Sequence, residues 1–240
     1  MRFLHCADLH IGCGGDETFG AAHFARIADA ALKAEADALL IAGDLFDRTA
    51  KMPAAAQSAA ACLRPLKAAG VAVFAVEGNH DCGPPAADGL TLLREEGRLR
   101  LLRPSFDSAG RPNLAGCLAE HKGVRIAGFG YLGENTRERL AALLALLPPW
   151  PGATVCMLHT GVYEKAPPRG GLLASDMEWF EGKAVYVALG HRHAREEHGL
   201  GRDPGAPAGV RLRGTAAPRG YYIAETREGG CAYRFFPMEG

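Results

Sequence analysis

Residues 36–48 read ADALLIAGDLFDR, an apolar run that stops at Gly43 and is followed at once by Asp44 and Asp47. A short apolar run closed by a turn residue reads as a buried strand. The same construction recurs along the chain, as RFLHCADLH (2–10), VFAVEGNHD (73–81), CMLH (156–159) and VALGHRH (187–193). Alanine-rich stretches with helical character, about 21–36 and 54–69, separate the first three runs. That order is βαβαβ, which implies a parallel sheet covered by helices. Pro53 suits a first helical position, and Gly70 follows the second helix as a C-terminal cap.

Further along, Gly83-Pro84-Pro85 and Gly110-Arg111-Pro112 break the chain around a helix predicted near 88–96. VRIAGFG (124–130), ATVCML (153–158) and AVYVALG (184–190) read as strands, and 134–147 as a helix. From Arg195 onward, VRLRG, YYIAE and CAYRFF alternate in an antiparallel manner, and GRDPGAPAG (201–209) reads as a hairpin or loop. There is no internal repeat. The alanine enrichment reflects helix propensity and composition more than function.

At 240 residues the chain is the size of one large α/β domain, and a single domain over 1–240 is expected. Its 27 basic and 27 acidic side chains cancel, so net charge supplies no pull toward nucleic acid or membrane. Arg2, His5, Asp8 and His10 interrupt the opening where a secretory signal needs an apolar run. No apolar stretch reaches membrane-spanning length, and a cytoplasmic protein is expected. Seven cysteines, with no Cys-x-x-Cys pair, argue against a disulfide framework and a thiolate zinc site.

The polar residues carry the functional signal. In an open α/β sheet the carboxyl ends of the strands line the ligand crevice, so the five bursts would meet in space. They bring Asp8, His10, Asp44, Asn79, His159, His191 and His193. Two carboxylates, an amide oxygen and four imidazoles suit two borderline divalent ions better than calcium or magnesium alone. The Asp8-x-His10 and His191-x-His193 spacings put each pair on one side of an extended backbone. Singly, each burst has an ordinary reading: a surface Asp-x-His, a Gly-Asp turn, a core histidine, an exposed basic loop. Jointly, in order and each behind a buried strand, they leave little room for accident.

Asp8-Leu9-His10, Gly43-Asp44-Leu45-Phe46-Asp47, Gly78-Asn79-His80-Asp81, His159 and Gly190-His191-Arg192-His193 together resemble the ordered signature of calcineurin-like metallophosphoesterases. The resemblance implies a four-layer α/β/β/α sandwich with mixed sheets and outer helices. It implies that Asp8, His10 and His193 bind one metal, that Asn79, His159 and His191 bind the other, and that Asp44 bridges them. His80 would be catalytic without being a ligand, steadying transition-state charge and protonating the leaving oxygen, with Asp81 orienting it. The chemistry implied is in-line hydrolysis of a phosphoester by metal-activated water, with no covalent intermediate.

The opening MRFLHCADLHIG, ADALLIAGDLFDR and the tail VALGHRHA, RGTAAPRGYYIAE and FFP resemble the SbcD-type DNA repair nuclease branch. That implies manganese, with iron or zinc as alternatives, DNA as substrate, and an SbcC-type ATPase partner. Two departures stand: no sequence follows Gly240 for a capping or ATPase-binding domain, and RGTAAPRG, with Thr215 in place of serine, matches the branch loosely. Arg48, Lys51, Lys165, Arg169, Arg192 and Arg195 follow or flank the motifs, as a basic rim for a polyanion or as ordinary solvated charges balanced by Asp47, Glu164 and Glu196. Three functions stay open: a DNA nuclease, a small-molecule phosphodiesterase or phosphatase acting on cyclic nucleotides or nucleotides, and a non-catalytic scaffold. A homodimer is among the open assembly states.

Overall fold

The computed structural model describes residues 1–82, 88–209 and 218–238. In chain order the elements are β1 (Arg2–Cys6), α1 (Ala21–Lys33), β2 (Ala38–Ala42), α2 (Ala54–Ala68), β3 (Ala72–Val76), α3 (Gly89–Glu95), β4 (Arg100–Leu101), β5 (Ser105–Phe106) and β6 (Pro112–Asn113). There follow β7 (Leu118–His121), β8 (Val124–Gly130), α4 (Thr136–Leu146), β9 (Thr154–His159), β10 (Val162–Tyr163) and β11 (Leu172–Leu173). The chain closes with β12 (Tyr186–Gly190), β13 (Arg195–His198), β14 (Gly201–Pro204), β15 (Gly220–Arg227) and β16 (Gly230–Pro237).

Two six-stranded sheets form, in the orders β16-β15-β1-β2-β3-β4 and β13-β14-β12-β9-β8-β7. The β1-β2-β3-β4 and β8-β9-β12-β14 stretches are parallel, and the outer strands β15, β16, β7 and β13 pair antiparallel. Strand alternation decides the layering. Along β1 and β2, Phe3, Ala38 and Leu40 face Val155, Met157 and Ala188 of the other sheet. Their neighbours Leu4, Cys6, Leu39 and Ile41 turn outward onto α1 and α2, where Phe24 and Leu63 cover them. On the far side Phe129, Cys156 and Leu189 pack under Leu140 and Leu143 of α4. The expected α/β/β/α order and mixed sheets are what the structure has.

Helix ends follow their local chemistry. Past α2, Gly70 takes φ 75°, its N–H donates to the Lys67 carbonyl, and the Val71 N–H reaches back to Leu66. This closes the last turn as a Schellman motif. Pro53 stands one residue ahead of its expected place, at the N-cap of α2. At α3, Asp88 accepts the Thr91 N–H and hydroxyl and lies 3.1 Å from Arg103. Burial opposes ionisation of Asp88, but these partners hold its pKa below the ordinary carboxylate value. A depressed carboxyl stabilises the fold above its unfolded pKa and loses that contribution as pH falls through the folded one. Asp88→Ala is therefore expected to cost about 1–2 kcal/mol at neutral pH, and urea unfolding in acid should show the gap to wild type closing. An undiminished gap there would count against the charge.

Two sequence expectations change. GRDPGAPAG is not simply a loop: Gly201–Pro204 is β14, inserted between β12 and β13. VRLRG and most of the RGTAAPRG turn, Thr215 included, lie outside the described residues. All seven cysteines are free. No helix among the described residues is long and apolar enough to cross a membrane.

Candidate metal centre

Asp8, Asp44, Asn79, His159 and His191 stand at or just past the carboxyl ends of β1, β2, β3, β9 and β12, and His10 and His193 follow two residues later. The chain turns sharply there, and Asp8, His10, Asp44, His191 and His193 all take positive φ, between 46° and 108°. Non-glycine residues adopt such angles at a cost that the surrounding structure must hold in place. The Asp8/His10 and His191/His193 pairs are thus not presented by extended backbone as their spacing suggested. They come from left-handed turns, which let the members of one pair diverge. His191 Nδ1 lies 3.0 Å from Asn79 Oδ1, whereas His193 Nε2 lies 3.0 Å from His10 Nε2 and 3.6 Å from Asp8 Oδ1.

All seven predicted residues meet. Asp8, His10, Asp44 and His193 present ligand atoms within 4.8 Å of one another. On the adjacent side, His159 Nε2 lies 3.2 Å from Asn79 Oδ1 and 3.3 Å from Asp44 Oδ2. Asp44 Oδ2 is also 3.7 Å from His10 Nε2, so one carboxylate touches both groups.

The donor chemistry fits cations. His159 Nδ1 donates to the Ala42 carbonyl at 2.8 Å, and His10 Nδ1 lies 3.2 Å from Asp47 Oδ2. With those nitrogens engaged as donors, the Nε2 atoms face the centre, where a bound cation would take the place of a proton. Lone pairs of His10 and His193 that approach to 3.0 Å repel unless a cation or proton lies between them. Carboxylates, imidazoles and an amide oxygen crowded this closely can hold divalent metal.

The same side chains shift one another's protonation. Burial alone would lower the pKa of His159, but Asp44 and Asp8 outweigh it and raise it to about 10. Burial and the neighbouring charged histidine push His191 down to about 4, and burial, followed by His10, pushes His193 down to about 3. Burial raises Asp8 well above the usual carboxylate range, while Asp44 is pulled below it because His159 and His10 outweigh its burial. By contrast His5, buried between the sheets, is a satisfied core histidine, bonded to Tyr186 Oη and the Leu189 carbonyl.

His80 sits at the mouth, its side chain 28% exposed, with its backbone N–H donating to Asp44 Oδ1 at 2.8 Å. Its expected partner is corrected. Asp81 is turned inward and accepts the backbone N–H groups of Gly78, Phe46 and Leu45. The carboxylate beside His80 Nδ1 is Asp47, at 3.1 Å. In the sequence Asp47 stands in the Gly43–Asp47 motif and reads only as a balancing charge. Asp203 was missed altogether. Buried on β14, it accepts the Arg192 and Gly205 N–H groups and so fixes the loop that carries His191 and His193. Its segment read as a loop, so no sequence signal marked it.

Glycine is required where the elements converge. Gly43 has φ 88°, and a Cβ there would come 2.2 Å from His159 Nδ1 and 2.9 Å from the Gly78 Cα. Gly43→Ala is expected to cost about 2–4 kcal/mol and to weaken metal binding by displacing His159. Thermal melting and metal titration test this, and an unchanged melting temperature would refute it.

The cations that follow or flank the motifs divide into two sets. Arg169, Arg192 and Arg195 pair with Glu134, Glu196 and Glu197. Arg48 donates to the Asn79 carbonyl, and Arg48, Lys51 and Lys165 have no carboxylate partner among the described residues.

A family model for calcineurin-like phosphoesterases matches residues 1–195. The DNA double-strand break repair protein Mre11 of Methanopyrus kandleri is 30% identical over 266 residues, covering 100% of this chain and 57% of that protein. The Archaeoglobus fulgidus protein of the same name is 31% identical over 208 residues, covering 80% and 46%. An uncharacterized metallophosphoesterase of Bacillus subtilis, YhaO, is 26% identical over 262 residues, covering 98% and 60%. The chain thus spans about half the length of these relatives. Among solved structures, a dimetal phosphatase from Danio rerio superimposes with a TM-score of 0.60 at 10% identity, covering 98% of this chain and 95% of that one.

Proposed function

The chain belongs to the calcineurin-like phosphoesterase family, and on that premise we propose that it is a two-metal phosphodiesterase acting on DNA in repair or end processing. The observation that carries the hydrolytic reading is the meeting of four imidazoles, two carboxylates and one amide around Asp44. The choice of DNA is supported by the Mre11 relatives and by Arg48, Lys51 and Lys165, cations without carboxylate partners among the described residues. Manganese suits the mixed nitrogen and oxygen donors, as would iron or zinc. By the same likeness, an SbcC-type ATPase is the partner proposed.

In this reading Asp8, His10 and His193 would hold one ion and Asn79, His159 and His191 the other, with Asp44 available to both. When bound, the ions supply Lewis acidity toward water and charge neutralisation at the phosphate oxygens. The protein supplies the rest. The Ala42 carbonyl and Asp47 engage the Nδ1 atoms of His159 and His10, which would leave their Nε2 atoms as the ligands. His80, held through Nδ1 by Asp47, presents its other nitrogen at the mouth to hydrogen-bond a phosphate oxygen and give a proton to the leaving oxygen. Asp81 holds the Gly78–Asp81 turn in shape.

A second reading, hydrolysis of small phosphoesters, is favoured by the pairing of Arg169, Arg192 and Arg195 with glutamates and by the balanced net charge. Manganese-dependent cleavage of single- and double-stranded DNA, beside bis-p-nitrophenyl phosphate and cyclic nucleotides, separates the two. DNA cleavage is expected. Turnover of small esters alone would replace the first reading with the second, and inactivity with two metals bound would leave a scaffold.

A further inference from the structure

Arg125 is the second residue of β8, at the end of the sheet remote from the metal centre, and it is only 5% exposed. A guanidinium cannot escape burial by losing its proton, so it needs a counter-anion or a full set of acceptors. Nε donates to Thr154 Oγ1 at 3.1 Å and Nη1 to the Pro148 carbonyl. Nη2 makes no hydrogen bond among the described residues, and no carboxylate there pairs with Arg125. Other arginines of the fold do find one, as Arg137 does with Asp176 at 2.7 Å. The Trp150 ring lies beneath the guanidinium, 5.7 Å from Cζ to centroid, and this eases the desolvation without neutralising the charge.

A cleft of about 430 Å³ adjoins this group, with Arg125, Thr154, Trp150 and Lys183 in its lining and Leu147 and Pro149 supplying apolar wall. Three features mark it as built. The Trp150 indole N–H is buried and has no hydrogen-bond partner among the described residues. Gly152 lets the turn after Trp150 close on the chain, since a Cβ there would come 2.6 Å from the Gly123 carbonyl and 3.1 Å from Trp150 Nε1. Lys183 is exposed at the rim and adds a second cation. Thr154 begins β9 and His159 ends it, which separates cleft and metal centre by about 16 Å along the strand.

We propose that this cleft binds a small molecule through an oxyanion group, phosphate or carboxylate, held by Arg125 and Lys183 with the apolar part against the Leu147–Trp150 wall. The oxyanion supplies the counter-charge that Arg125 lacks, and a guanidinium fork suits either group.

The test uses Trp150 fluorescence. The chain has two tryptophans, so a Trp179→Phe background leaves Trp150 as the sole indole. Phenyl phosphate, benzoate and inorganic phosphate are titrated against chloride at matched ionic strength. A saturable change with a midpoint of about 1 mM or lower is expected, absent with chloride. The midpoint should rise about tenfold in Arg125→Gln and about threefold in Lys183→Ala. Lys183 is exposed, so its variant carries the test even where Arg125→Gln fails to fold. Tighter binding of phenyl phosphate than benzoate identifies the group as phosphate, and the reverse as carboxylate; both outcomes support the site. Asp44→Asn should leave the midpoint unchanged. No saturable response to any probe, a midpoint unmoved in Lys183→Ala, or a response abolished by Asp44→Asn would overturn the proposal.

Discussion

Asp44→Asn is expected to reduce bound divalent metal from two ions to one or none and to lower phosphodiester turnover by about 10²- to 10⁴-fold. Asn keeps the shape and one oxygen but loses the charge, and Asp44 is the carboxylate that touches His159 on one side and His10 on the other. Two cations held about 3.5–4 Å apart repel strongly, and an anion between them offsets that repulsion. A metal's Lewis acidity is worth several kcal/mol of transition-state charge stabilisation, which sets the range of the expected loss. The fold should survive, because the backbone contacts of Asp44 do not depend on its charge. Elemental analysis of purified variant decides the point: two ions retained at full occupancy would rule out the shared position of Asp44.

His80→Ala should separate chemistry from metal binding. A drop in kcat of about 10²- to 10⁴-fold is expected, with metal content and melting temperature close to wild type, since the side chain is partly exposed and coordinates nothing in the proposed set. Asp47→Ala should lower kcat in the same direction, because Asp47 is the carboxylate 3.1 Å from His80 Nδ1. Asp81→Ala should behave differently. It strips acceptors from three buried backbone N–H groups and is expected to cost about 1–3 kcal/mol of stability for each donor left unsatisfied. Equal kinetic effects of Asp47→Ala and Asp81→Ala with no loss of stability would reverse the assignment of the two carboxylates.

A good part of this fold and centre was legible in the residues themselves. ALLIA, AVFAV and YVALG are apolar runs that give way to Gly43-Asp44, Glu77-Gly78 and His191, and such runs have few places to go except the middle of a sheet. Because the ligand candidates follow these runs directly, parallel strands carry them to the same end. Gly70 stopped α2 as its conformational freedom requires.

What tertiary structure decided has one physical root: pairings and turns depend on neighbours distant in the sequence. Gly201-Arg202-Asp203-Pro204 has no strand-like composition, and it becomes β14 only because β12 and β13 offer backbone partners on both sides. Asp203 acquires its place under the His191–His193 loop in the same way. Asp47 and Asp81 lie one residue past Phe46 and His80, and nothing in either motif says which carboxylate meets the imidazole. The turns settle it, rotating Asp81 inward to three amides and Asp47 outward to His80. Sequence by itself determined which residues gather at the strand ends; the left-handed turns beyond those ends decided which atoms face one another, because φ at a turn is set by the packing around it.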